Sequence, residues 1–225
     1  MIMSSSYPIL YSFRRCPYAI RARLAIDLAN FKCELREVNL SRKPKEMLNI
    51  SPKGTVPVLE LNNGIIVDES VQIMKHVLGK NFLESVISTF ENNNAEKDFL
   101  KTFDMEFKYH LDRYKYSSRY ADVDRLEHRQ EALLILRDFD LYLGNRKFGE
   151  NFSKNSFVDI AVAPFVRQFR MADISWFDSS NGLTYLKFWL NNFLTSNLLA
   201  EVMVKNPVWF SGAPRIVFPN SHKLR

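Results

Sequence analysis

A cysteine followed directly by proline and set among arginines holds most of the chemistry in this sequence: Arg14-Arg15-Cys16-Pro17-Tyr18-Ala19-Ile20-Arg21. Proline suits the first position of an α-helix, because the N–H it lacks is one a helix start leaves unpaired anyway and its φ is already helical. Pro17 in that position puts Cys16 at a helix amino terminus, where unpaired N–H groups and the helix dipole favour an anion. A thiol so placed is held as the nucleophilic thiolate, and Arg14, Arg15, Arg21 and Arg23 add positive field. The other setting for a cysteine is a buried, inert one. That is the reading of Cys33, within a strand pattern and without such neighbours, whereas Cys16 is read as reactive.

A dithiol redox site needs a second cysteine three positions on, and that position is Ala19. Chemistry at Cys16 is therefore monothiol. A lone thiol that exchanges disulfides needs an external thiol to resolve its mixed disulfide, which points to glutathione as cosubstrate.

These residues need a strand to deliver them and a helix that starts on them. Pro8 to Phe13 reads as a strand, and Pro17 to Asn30 as a helix with Ile20, Leu24 and Leu28 on one face. Glu34 to Leu40 alternates as a second strand, and Lys43 to Asn49 is a short helix or turn. Val56 to Leu61 and Ile65 to Val67 form a hairpin around Asn62-Asn63-Gly64, residues that accept positive φ. Glu69 to Leu78 closes the unit as a helix. The order β-α-β-α-β-β-α, with Pro57 starting the third strand, matches a thioredoxin-type domain with a parallel pair in its sheet. The remainder is helical in period: Glu96 to Ser118, Val123 to Leu143 with the stripe Leu126, Leu133, Leu136 and Leu143, Ser156 to Met171, and Thr184 to Val204. The predicted architecture is an α/β thioredoxin-like N-terminal domain over 1–80, a linker over 81–90, and an all-α C-terminal domain over 91–225 ending in a Pro-punctuated basic tail.

Composition removes other classes. The chain has 225 residues, 46% of them hydrophobic, enough for packed cores rather than disorder. Only two cysteines are present, so no Cys-rich zinc site forms, and the usage fits a reducing compartment, which predicts a cytoplasmic protein. His76, His110, His128 and His222 lack metal-ligand spacing, so no metal is expected. The first ten residues have no basic leader pattern and no window has the length of a membrane span, so neither export nor a membrane partner is expected. Lysine and arginine number 31 against 25 acidic residues, a formal net charge of +6. Lys205, Arg215, Lys223 and Arg225 all follow the last acidic residue, Glu201. A surplus gathered in a tail, read as solvated, argues against a nucleic-acid partner, which calls for basic residues along one folded face.

Cys16-Pro17-Tyr18-Ala19, Lys43-Pro44, Gly54-Thr55-Val56-Pro57-Val58-Leu59 and Asp68-Glu69-Ser70 together resemble the glutathione-binding half of the glutathione transferases, the cysteine-type omega-like class and its bacterial relatives in particular. In the helical half, Ser156-Phe157-Val158-Asp159-Ile160-Ala161 is similar to the family's buried capping box, and Pro164 to Phe169 is similar to the segment that the family places directly after that box. The resemblance implies the glutathione transferase fold with Cys16 catalytic. It implies that Val56 precedes a cis Pro57 and pairs with the tripeptide backbone, that Glu69 and Ser70 hold its γ-glutamyl end, that Lys43 meets its glycyl carboxylate, and that Tyr18 walls the thiol.

Taken alone, those residues also fit a strand edge, a helix start capped by Asp68, a solvated lysine and a packed aromatic. Tyr11, near the place where other classes keep a catalytic tyrosine, is read as a core residue. Tyr109, Arg113, Tyr114, Tyr116, Arg119 and Tyr120 fall at helical spacing. Either Tyr109, Arg113 and Tyr114 line an electrophile pocket with Phe13 and Arg14, or they form a half-buried helix face. Ser156-x-x-Asp159 has capping-box form, the hydroxyl accepting from the Asp159 N–H and the carboxylate reaching back. The expected activity is glutathione-dependent thiol transfer to a small thiol or electrophile by a homodimer, with dehydroascorbate reduction in the same repertoire. Its rivals are conjugation or reductive deglutathionylation of a bulky electrophile, and a non-catalytic interaction protein of the same fold.

Overall fold

The computed structural model describes residues 7–79, 84–146 and 156–220. It divides into two compact units, Met1–Ile87 with Asn197–Arg225, and Ser88–Ser196. The first unit is a thioredoxin-like mixed sheet with helices. Its elements are β1 (Ile9–Ser12), α1 (Pro17–Leu28), β2 (Cys33–Glu37), α2 (Lys45–Ile50), β3 (Val58–Glu60), β4 (Ile66–Val67) and α3 (Ser70–Leu78), joined after the second unit by α11 (Asn197–Val202) and β5 (Val217–Phe218).

The sheet runs β4-β3-β1-β2-β5. β1 and β2 are the expected parallel pair, Ile9 opposite Glu34 and Ser12 opposite Glu37, while β3 and β4 are antiparallel to their neighbours. Gly64, at φ +80°, makes the β3–β4 turn as the sequence predicts. α1 covers the sheet because Ala19, Ile20, Ala22, Leu24, Ala25 and Ile26 are all buried, and it packs against α3 and α11.

The tail departs from expectation. Instead of being solvated, it supplies the fifth strand: Cys33 pairs with Phe218 and Glu34 with Val217. The Leu35 N–H donates to the Ile216 carbonyl at 2.8 Å, and the Trp209 N–H to the Glu37 carbonyl at 2.8 Å. Lys32 Nζ reaches the Pro219 carbonyl at 2.7 Å, and Arg215 Nε the buried Glu34 at 3.3 Å. An open strand edge carries unsatisfied backbone groups, and β-branched and aromatic tail residues satisfy them here. Residues 221–225 of the predicted tail lie outside the described residues.

The second unit is helical: α5 (Asn94–Thr102), a π-turn (Phe103–Phe107), α6 (Lys108–Lys115), α7 (Arg125–Gly144), α8 (Phe157–Arg170), α9 (Ile174–Ser179) and α10 (Thr184–Leu194). Within the segment read as a linker, Glu84–Glu91 form helix α4, and the division between the units falls in it, at Ile87 and Ser88; 81–83 lie outside the described residues. The single helix expected over 96–118 is divided by the π-turn and ends in a 3-10 turn at Ser117–Arg119. The helix expected over 184–204 breaks at Thr195 and Ser196, whose hydroxyls donate to the Asn191 and Phe193 carbonyls and compete with the helix ladder. In α7, Leu133, Leu136 and Leu143 are core, but Leu126 in its first turn is 52% exposed. The π-turn residues Phe103 and Phe107, with Phe139, Phe169 and Trp189, form the aromatic centre of this unit.

Candidate functional site

Cys16 caps α1 with extended backbone (φ −80°, ψ 124°), and Pro17 is the first helical residue, as the sequence implies. The thiol is half-buried against a cluster of Tyr11, Val38, Met47, Val56 and Val58, with Phe13 beside it. Its Sγ donates to the Val56 carbonyl at 3.8 Å. The Val56–Pro57 peptide is cis, in line with the resemblance. Gly54 at φ +62° turns the chain into this segment, and a Cβ there would lie 3.1 Å from Leu48 Cδ2 and 3.5 Å from Lys43 Nζ. Lys43, though exposed, therefore lies beside Gly54, two residues before Val56.

Glu69 caps α3 and Ser70 is its first residue. The buried Ser70 hydroxyl accepts from Arg21 Nε at 2.9 Å, which leaves its own proton to donate to an anion. Arg21 also lies 5.0 Å from the centre of the half-buried Tyr18 ring, so one arginine joins α1 to the start of α3. Lys53, which no motif singled out, donates to Glu69 Oε1 at 2.6 Å and approaches Asp68 Oδ2 at 3.2 Å. The hydrogen bond that Lys53 donates to Glu69 raises the lysine's pKa, outweighing burial, with Asp68 adding to the rise. Cys16, Val56, Pro57, Tyr18, Lys43, Glu69 and Ser70 are thus all in the first unit, with thiol, peptide edge and helix start joined by contacts.

The arginine field is smaller than the sequence suggests. Arg23 is wholly buried and ion-paired with Glu37. Burial lowers its pKa while the Glu37 charge and hydrogen bond oppose that. Arg14 Nη1 is turned to the Met203 carbonyl at 3.3 Å. Arg15, the exposed member, lies 5.3 Å from the Phe13 ring centre.

Tyr11 is a core residue as expected, its hydroxyl accepting from Arg36 Nη1 at 2.7 Å, and burial raises its pKa despite that neighbour. Burial pushes the Cys33 thiol up to about 12, so it is inert.

Of the pocket residues, Phe13 and Arg14 belong to the first unit and Tyr109, Arg113 and Tyr114 to the second. Tyr114 is corrected: it is 0% exposed, packed on Phe169, and lines nothing. Its spacing of five from Tyr109 turns it to the core face of α6. Tyr109 is exposed, with the Arg113 guanidinium 3.4 Å from its ring centre and 4.6 Å from that of Tyr120. His110 and His128 face each other, Nδ1 to Nδ1 at 2.8 Å, a pairing their distance in sequence concealed. Among the described residues no group of three metal-ligating side chains converges, and no helix is long and apolar enough to cross a membrane.

The glutathione S-transferase N-terminal domain family matches residues 10–85. Glutathione S-transferase omega-1 of Mus musculus is 39% identical over 62 residues, 28% of this chain, and the match spans only 26% of that protein's length. A probable glutathione S-transferase of Nicotiana plumbaginifolia is 26% identical over 172 residues, 74% of this chain and 75% of its own. In fold, a glutathione transferase family member from Pseudomonas fluorescens, solved with two glutathione bound, aligns at TM-score 0.72 and 18% identity, over 88% of this chain and 92% of its own. Residues 10–85 thus carry a glutathione S-transferase N-terminal domain, and the chain has the glutathione transferase fold.

Proposed function

We propose that this protein is an omega-like, glutathione-dependent thiol transferase with Cys16 as nucleophile. The observation that supports it most is Cys16 itself, a half-buried thiol at the amino terminus of α1 with Sγ 3.8 Å from the Val56 carbonyl. A tyrosine-type transferase needs a hydroxyl in that place, and Tyr11 has its hydroxyl on Arg36. The Cys16 thiolate attacks the glutathionyl sulfur of a mixed disulfide; the S–S bond breaks, the released thiolate takes a proton, and Cys16 carries glutathione. A second glutathione thiolate attacks that sulfur, leaving glutathione disulfide and restoring Cys16. The Val56 backbone would pair with the cysteinyl residue of glutathione. The start of α3 would hold the γ-glutamyl carboxylate on N–H groups and the Ser70 hydroxyl, with Glu69 on the ammonium and Lys43 on the glycyl carboxylate. We place this work in the reducing cytoplasm and in a homodimer. Its second substrate is a small disulfide, thiol or electrophile; dehydroascorbate is a further candidate.

Cys16→Ser should abolish glutathione-dependent reduction of a small mixed disulfide while leaving the melting temperature near the parent's, because serine fits a helix amino terminus. Exchange undiminished in that variant would overturn the assignment. Activity with a chlorinated aromatic, and none with the disulfide, would favour conjugation instead.

A further inference from the structure

Glu37, the last residue of β2, answers to no motif, yet three elements of the first unit meet on it. Its Oε1 accepts the backbone N–H of Arg14 at 2.8 Å. Its Oε2 accepts from Arg23 Nη2, and its backbone carbonyl accepts the Trp209 N–H at 2.8 Å. The contact to Arg14 matters because of what Arg14 begins. The Cys16 N–H donates to the Phe13 carbonyl at 3.0 Å, so Phe13 to Cys16 is a closed turn with Arg14 and Arg15 in its middle and the thiol residue at its end. The Arg14 N–H lies on the outside of that turn, and Glu37 takes it.

Arg14 and Arg23 are held on their far sides as well. Arg14 Nη1 donates to the Met203 carbonyl at 3.3 Å, Arg23 Nη1 to the Val202 carbonyl at 3.2 Å, and Arg23 Nε to Ser12 Oγ at 2.7 Å. Glu37 is thus fixed before it fixes anything: β1 holds Ser12, the α11 end holds both arginines, and Trp209 holds its backbone. Stability alone is a weak reason for such an arrangement. Taking two charges out of water cancels much of their attraction, and well-packed apolar side chains of similar volume often do as well. No apolar side chain accepts the Arg14 N–H.

We propose that Glu37 is a positioning residue for Cys16, its carboxylate oxygen anchoring the Phe13–Cys16 turn through the Arg14 N–H and so setting the direction of Sγ. The Cys16 backbone lies at the end of the anchored turn, and Sγ is one rotatable bond beyond it. With the anchor gone, the turn samples other geometries and the thiol spends less time at the amino terminus of α1. The proposal rests on the reading of Cys16 as the nucleophile, but its test needs no glutathione.

Removing the carboxylate alone would leave the Arg23 charge buried, so Arg23 is replaced too. Arg23→Met/Glu37→Gln and Arg23→Met/Glu37→Ala both lack the ion pair, and only the first keeps an oxygen for the Arg14 N–H. The readout is the rate of Cys16 alkylation by iodoacetamide across pH, followed by mass, with buried Cys33 as internal reference. The Ala variant is expected to alkylate about fivefold or more slowly than the Gln variant, or with a displaced pH midpoint, at matched melting temperature. Identical profiles would overturn the proposal, as would an Arg14 amide in the unmodified protein that exchanges its hydrogen as fast as an open loop amide, a measurement that holds even if neither variant folds. A Gln–Ala difference in a chain without thiol transfer would leave Glu37 its role and remove the function; transfer with no such difference would do the reverse.

Discussion

At the proposed γ-glutamyl end of the site, the carboxylate that we assign to a ligand's ammonium already holds a cation, since Lys53 Nζ lies 2.6 Å from Glu69 Oε1. Lys53 and Glu69 are both well exposed, 41% and 68% by side chain, and such pairs are worth about 0 to 1 kcal/mol. Glutathione can therefore open or share this pair at little cost. A desolvated, charged hydrogen bond to the bound ammonium is worth more, about 1.5 to 3 kcal/mol. Glu69→Ala should accordingly weaken glutathione roughly tenfold or more in calorimetry, and Lys53→Ala should weaken it less or not at all. Equal affinity of Glu69→Ala and the parent would show that the site lies elsewhere. The positions of Cys16, Val56, Glu69 and Ser70, at helix starts and before a cis proline, were legible because each is defined by its immediate neighbours. Lys53, Arg21 and Glu37 were not, because they act on residues 16, 49 and 23 positions away, and no local pattern records such a pairing.

The same division between local and distant signals runs through the helices. Ser156 caps α8 as its spacing predicts, Oγ accepting the Asp159 N–H at 3.3 Å, and residues 157–166 are all buried. The sequence did not announce Arg146, at the end of another helix, whose Nη1 donates to Asp159 Oδ2 at 2.8 Å. Burial acts to lower the Arg146 pKa, but the Asp159 hydrogen bond and charge outweigh it and the net shift is upward. Asp159 is fully buried and Arg146 nearly so, so Asp159→Ala keeps the backbone N–H that the Ser156 hydroxyl caps but leaves a buried cation without its carboxylate. Broken buried pairs cost about 3 to 5 kcal/mol. Asp159→Ala should lower the melting temperature markedly, Arg146→Met added to it should restore part of the loss, and Cys16 alkylation should be unchanged in the folded fraction. A melting curve like the parent's would contradict this. The helix breaks were less legible than the caps: an apolar pattern continues across Phe103–Phe107 and across Thr195–Ser196, and hydroxyls that compete for backbone carbonyls do not interrupt it.

For the whole molecule, strand and helix alternation was enough to read a thioredoxin-like domain followed by a helical one, because the helices are periodic and the short strands β3 and β4 are marked by Pro57 and the Asn62-Asn63-Gly64 turn between them. It was not enough to read the tail. β5 has two residues, follows prolines and has no period of its own; it is a strand only because β2 offers it an edge. In the second unit Leu141 is 64% exposed and Phe188 57%, side chains of the kind that a partner surface covers when they lie together. A two-fold homodimer would cover part of this kind of surface. Sedimentation should give a mass near two chains of 26.4 kDa at micromolar concentration, and a mass near one chain would exclude it.

The strand that closes β2 has a consequence for synthesis. The nascent chain emerges amino end first at about 5 to 20 residues per second, so residues 208–218 reach β2 on the order of ten seconds after the first unit's leading segment is out. Through that interval the outer edge of β2, with the Leu35 N–H and the Glu37 carbonyl on it, can pair with another chain on the same polysome. The time needed to translate the helical domain is therefore also the time this edge stays open, and slower codons there would raise aggregation during synthesis without altering the finished fold.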